Sequence, residues 1–113
     1  MMKGLGDFGK LMQQAQEMQQ KMAEAQERIA AIEAEGSAGA GMVSAVATAQ
    51  GEVRRLKVDP ALLDGSYEKE VLEDLIVAAV NDASRRAREQ GQKEMEKVTE
   101  GLPLPPGMKL PFG

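Results

Sequence analysis

No cysteine, histidine or tryptophan occurs among the 113 residues, and aromatic side chains make up 3% of them. Without cysteine there is no disulfide staple and no thiolate metal site, a composition that suits a reducing cytosol. Without histidine the commonest metal ligand and the usual general base are missing, so Ser-His-Asp and Cys-His chemistry is excluded. Two Phe and one Tyr cannot build an aromatic core, so the interior must come from Leu, Ile, Val, Ala and eight Met. Long apolar runs are lacking too. The longest, Leu75 to Val80, falls far short of the roughly 20 residues that span a bilayer. The start, Met1-Met2-Lys3-Gly4-Leu5-Gly6-Asp7, lacks the apolar stretch of a signal peptide. A cytoplasmic protein of one domain, without a membrane partner, is expected. Eighteen acidic residues against 14 basic ones leave a net charge of −4, which argues against a uniformly basic nucleic-acid binder.

What is present is periodic. Phe8, Leu11, Ala15, Met18, Met22, Ala25, Ile29 and Ile32 recur at alternating steps of three and four, the a/d seam of a heptad helix. Between them stand Gln and Glu, good helix formers. Gly36 reads as the stop. A helix from about residue 8 to 34 is roughly 40 Å long at 1.5 Å per residue. A globule of this size has a radius of gyration of only about 13 Å. The helix therefore projects, and its seam needs a partner helix in the same chain or in a second subunit. Core or coiled-coil packing is the simplest use of the Met and Ala stripe.

Glu35-Gly36-Ser37-Ala38-Gly39-Ala40-Gly41 lacks the Gly-Lys-Ser/Thr ending of a phosphate loop and precedes a strand pattern, so it reads as the turn between helix and sheet. Met42 to Thr48 and Val53 to Val58 read as strands, joined by a hairpin with its tip at Gln50-Gly51. Asp59-Pro60 ends the second. A short strand around Ile32 to Gly36 completes a three-stranded antiparallel sheet, although there the helix pattern competes. Arg54, Arg55 and Lys57 form a local positive excess, suited to phosphate contact or to edge-strand protection.

A second helix follows Asp64-Gly65-Ser66, with Ser66 as its cap and Glu68, Glu70, Glu73 and Asp74 in its first turns. Its stripe is Leu72, Leu75, Ile76, Ala79, Ala83, Ala87, Gly91, Met95 and Val98. The large first half is expected on the sheet. The small second half leaves room for another helix, and Gly91 weakens it by about 1 kcal/mol relative to Ala. Arg85, Arg86 and Arg88 follow the acidic start, as the helix dipole or a binding role would require. Three prolines within four residues, Pro103 to Pro106, open a Pro/Gly-rich tail over 101–113 that regular helix cannot occupy. The expected organisation is an α+β domain over residues 1–100, then this tail.

Several stretches resemble one family in order along nearly the whole chain. They are Lys10-Leu11-Met12-Gln13-Gln14-Ala15-Gln16-Glu17-Met18-Gln19, Gly39-Ala40-Gly41-Met42-Val43, Val58-Asp59-Pro60-Ala61-Leu62-Leu63, and Leu72-Glu73-Asp74-Leu75-Ile76-Val77-Ala78-Ala79-Val80-Asn81-Asp82-Ala83. The ending Leu104-Pro105-Pro106-Gly107-Met108-Lys109-Leu110-Pro111-Phe112 fits as well. Together they look like the YbaB/EbfC family of nucleoid-associated proteins. The resemblance implies an α-β-β-β-α fold, a tweezer-like homodimer with helices projecting from paired sheets, and DNA binding without catalysis. It departs at Thr48-Ala49, where the family commonly has Asn-Gly, and at Ser44, where it often has Lys. Ala45 and Ala47 replace bulkier β-branched residues, which predicts a looser sheet.

The resulting expectation is a dimer that engages duplex DNA through Lys10, Lys21 and Arg28 on the first helix and Arg85, Arg86 and Arg88 on the second. Arg54, Arg55 and Lys57 are secondary candidates. Phosphate contacts should dominate, with little sequence preference. No cofactor, metal or small-molecule substrate is expected, and the site of action is the nucleoid. An alternative from another class is a helical scaffold that clasps a protein partner along a Met-rich seam. The net negative charge is compatible with DNA because charge is segregated: residues 85–88 hold three Arg and residues 54–57 three cations, with no acid among either.

Overall fold

The computed structural model describes residues 2–100. In order it contains α1 (Met2–Ala30), β1 (Glu33–Ala38), β2 (Val43–Thr48), β3 (Val53–Val58), a 3-10 turn (Pro60–Leu63) and α2 (Lys69–Glu100). This is the expected α+β order. The tail expected over 101–113 lies outside the described residues.

The expected boundaries shift at the end of α1. The helix stops at Ala30, not near residue 34. The Ala31 amide is shared between the carbonyls of Glu27 and Arg28, both at 3.2 Å, and the Ile32 amide bonds Ile29 at 3.1 Å. The last turn thus tightens to 3-10 spacing and delivers the chain into β1. Gly36 is a mid-strand residue rather than a helix stop. The glycine-rich stretch does not join helix to sheet. Its first half is β1, and its second half is the β1–β2 turn, where Gly39, Ala40 and Gly41 all take positive φ (63°, 55° and 90°).

The sheet is antiparallel in the order β1-β2-β3. Its register aligns Gly36, Ala45 and Leu56 across the strands, and likewise Glu35, Val46 and Arg55. Because side chains alternate along a strand, one face carries Ala34, Gly36, Val43, Ala45, Ala47, Leu56 and Val58. The other carries Glu33, Glu35, Ser37, Ser44, Val46, Arg55 and Lys57. The first face meets α2 over β1 and β2, with Leu72, Leu75, Ile76 and Val80 packed on a core of Val43, Ala45, Ala47, Leu62, Ala79 and Ala83. Small residues in β2 do not loosen this packing. Ala45 and Ala47 are buried, and their size lets α2 lie close to the sheet.

The β2–β3 hairpin forms, but its tip is one residue earlier than the expected Gln50-Gly51: the Gly51 amide bonds the Thr48 carbonyl at 3.0 Å, which makes Ala49 and Gln50 the central residues of the turn and leaves Gly51, at φ 91°, to lead the chain back into β3. Thr48 takes over from the missing Asn-Gly: its buried hydroxyl accepts the Glu52 amide at 3.1 Å. Asp59 caps the 3-10 turn through the Ala61 amide at 2.9 Å. Ser66 does not cap α2. Its amide and hydroxyl both donate to Asp64, and the Glu68 carbonyl accepts the first helical bonds instead.

α2 runs unbroken through Gly91. A Cβ at Gly91 would meet Ala49 Cβ at 3.5 Å and Ile29 Cγ2 at 3.8 Å, so here α2 touches both α1 and the hairpin. The expected approach to the small half of α2 is therefore divided: β1 comes against Ala83, and α1 comes against Gly91. The molecule is elongated, with a radius of gyration of 21.7 Å and extents of 81 × 27 × 16 Å, well beyond the ~13 Å of a 100-residue globule. Ala25 is buried and Met18, Met22 and Ile29 are half-buried, whereas Phe8 and Leu11 are 61% and 62% exposed. The seam is thus covered toward the sheet and bare toward the start of α1. No described helix is long and apolar enough to cross a membrane.

Candidate nucleic-acid interface

The nine cations expected to bind DNA fall on three elements. On α1, Lys10, Lys21 and Arg28 are separated by eleven and seven residues. At about 100° per residue these steps return to within about 20° of one direction, so the three share a stripe that flanks the Met seam. On β3, Arg55 and Lys57 lie on the sheet face away from α2. On α2, Arg85, Arg86 and Arg88 occupy the stretch that follows the β1 contact.

Ion pairing separates them. Arg28 Nε donates to Glu94 at 2.7 Å and ties α1 to α2. Arg55 pairs with Glu33 at 3.3 Å, and Arg54 with Glu52 at 3.8 Å. Arg85 and Arg86 both pair with Asp82. Among the described residues Lys10, Lys21, Lys57 and Arg88 make no ion pair, nor does Lys93, which the sequence reading passed over. Arg55 and Lys57 border a hollow of about 580 Å³ with Glu35, Ser44 and Val46. Its mixed charge makes it a poor phosphate site.

Two carboxylates missed at first organise the helices. Asp82 accepts the Ser37 amide at 3.1 Å, Arg86 Nε at 3.2 Å, and a guanidinium N–H of Arg85. These bonds, the Ser37 amide first, hold its carboxyl down at about 2. Glu94 accepts from Arg28 and from Lys97 at 3.1 Å, and these likewise lower its pKa. The spacing of Asp82 to Arg85 and Arg86 was readable as i,i+3 and i,i+4. The pairing of Arg28 with Glu94, 66 residues apart, was not.

A depressed carboxylate pKa means the unfolded chain binds the proton more readily. The associated stability is complete above the ordinary carboxylate range and is lost as pH falls toward the folded value. Stability is therefore expected to fall from about pH 4 down to about pH 2. Asp82→Asn should flatten part of that slope in urea titrations at stepped pH.

The long helices and the three-stranded sheet have a counterpart among known proteins. A family model for the YbaB/EbfC DNA-binding family matches residues 2–102. The chain belongs to that family. YbaB/EbfC proteins are DNA-binding and nucleoid-associated, and they are not an enzyme family. A crystal structure of an uncharacterized protein, HP0035 from Helicobacter pylori, is similar to this YbaB/EbfC chain with a TM-score of 0.62 and 24% identity. The match covers 83% of this chain and 97% of that one, and it shows the shared fold.

Proposed function

We propose that the protein binds duplex DNA as a homodimer in the cytoplasm, at the nucleoid, mainly through phosphates and with low sequence specificity. In that role it affects nucleoid organisation and gene expression. The observation that carries this reading is that Lys10, Lys21 and Arg88, expected DNA contacts on the two long helices of a member of a DNA-binding family, make no ion pair among the described residues. Each phosphate neutralised makes the fall of log affinity with log salt steeper by about 0.9. Replacing all three by Gln removes six cations per dimer and should reduce that slope by up to about 5. Fluorescence anisotropy with mixed and A·T-rich duplexes over a salt series measures it. An unchanged slope with the fold intact overturns the assignment.

The dimer surface we assign is the uncovered part of the helix-side sheet face. Leu56 is on that face, and a bulge in β3 at Arg54 brings Val53 opposite Ala47 and so onto the same face; both stand beside α2 rather than under it, and both are exposed. Val77 is 58% exposed. It lies about 140° around α2 from Asp82, which reaches β1, and so stands on the flank away from β1. A second copy would cover this apolar strip.

A second reading has its own observation. Phe8 and Leu11 continue the seam of α1 beyond the part covered by α2, with Met12 exposed beside it. Such a bare seam also fits a protein partner. A partner recovered with the full chain, together with no DNA binding at low salt, would favour the scaffold.

A further inference from the structure

Asp82 lies where α2 crosses β1. Its side chain is 17% exposed, whereas those of Arg85 and Arg86 are 60% and 58% exposed. One oxygen accepts the main-chain N–H of Ser37, a donor belonging to a different element. The carboxylate is thereby anchored to the sheet, and the two flexible guanidinium groups come to it. Arg86 Nε is 3.2 Å from both oxygens, and Arg85 bonds Oδ1. Arg88, on the same stretch of helix, makes no ion pair among the described residues.

We infer that Asp82 is an internal stand-in for a phosphate: it holds Arg85 and Arg86 and withholds both from DNA, leaving Arg88 as the binding cation of the cluster. The inference rests on the DNA-binding reading. An anchored carboxylate with two guanidinium partners offers the charge-assisted bonds that a phosphate oxygen would offer. An exposed ion pair is normally exchanged at little cost. Here a phosphate that displaces Asp82 must stay beside a negative charge that Ser37 keeps in place, so the exchange yields little. Asp82 is thus a positioning residue whose charge sets how strongly, and how salt-dependently, this face holds DNA.

A mutant cycle on the full chain tests this by anisotropy with a mixed-sequence duplex, from about 50 to about 200 mM salt. Asp82→Asn keeps a carbonyl acceptor for the Ser37 amide and removes the charge. It should bind about tenfold more tightly at low salt, with a slope steeper by about 0.9 to 1.8 per protomer. The pair Arg85→Gln/Arg86→Gln should weaken the wild type less than Arg88→Gln does, yet abolish the gain in the Asp82→Asn background. Arg88→Gln should weaken both. The inference is overturned if Arg85→Gln/Arg86→Gln alone weakens binding as much as Arg88→Gln. It is also overturned if a folded Asp82→Asn keeps the wild-type slope. The Arg pair leaves the Asp82–Ser37 bond intact, so that arm decides even if Asp82→Asn fails to fold. If no variant binds DNA at low salt, the DNA reading fails and the inference with it, an outcome distinct from a binding wild type unaffected at Asp82.

Discussion

Gly36→Ala is expected to lower stability by more than about 3 kcal/mol, at the upper end of what overpacking costs. A Cβ at Gly36 would sit 2.1 Å from the backbone N of Ala83 and 2.7 Å from both its Cα and the carbonyl carbon of Asp82. Those atoms belong to helix backbone, so no rotamer change makes room. Either β1 bends away from β2 or α2 lifts off the sheet. The second movement uncovers Ala83 and breaks the Ser37–Asp82 bond. A total stability of about 5 to 15 kcal/mol leaves little reserve for such a loss. The urea midpoint and its m-value measure it, and a midpoint equal to the wild type's would show that the crossing is not so close. Gly91→Ala is the control. Its Cβ meets only side-chain carbons at ordinary contact distances, and Ala favours helix by about 1 kcal/mol.

Leu56→Glu is expected to convert the proposed dimer to a monomer and to weaken DNA binding by about 10²- to 10⁴-fold, the range that tethering two binding units supplies. Leu56 is 47% exposed on the sheet face that elsewhere forms the core, so its substitution removes little from the fold of one chain. In the proposed interface it places a charge on an apolar strip in each copy, and a buried unpaired carboxylate is strongly unfavourable. Light scattering coupled to size exclusion reads the mass, and anisotropy at fixed salt reads the affinity. A wild-type chain that runs as a monomer, or a Leu56→Glu chain that stays dimeric, overturns the assignment of this surface.

The contrast between these residues shows what was legible. Leu56 belongs to a strand alternation that any reader of Val53 to Val58 would mark. Gly36 was legible as a glycine but took the wrong role, because a glycine after a long heptad pattern ordinarily ends a helix. Ile32 and Ala34 fit both a seam and a strand, and local pattern could not choose between them. Pairing with β2 made the choice, by satisfying the backbone of residues 33–38. Ser66 failed for a similar local reason: Asp64, two residues before it, competes for the same hydroxyl and amide.

The candidate cations divide the same way. Their identities, their segregation against a net negative charge and the shared stripe of Lys10, Lys21 and Arg28 follow from residue order and helical pitch alone. Which of them are unpaired does not. Arg28 meets Glu94 only because α2 returns antiparallel along α1. Asp82 is fixed only because β1 brings the Ser37 amide to it.

By itself the sequence determined the long helices, the hairpin, the end of β3, the lack of histidine and cysteine chemistry, and the family. These depend on interactions within a few residues or on periodicity, which the chain carries wherever it is. Tertiary structure decided where α1 ends, that Gly36 is a crossing point, that α1 is left bare from Phe8 to Met12, and which cations are tied to an anchored carboxylate. Each of these depends on contact between residues dozens of positions apart, and only the packed sheet and helices bring those groups within bonding distance.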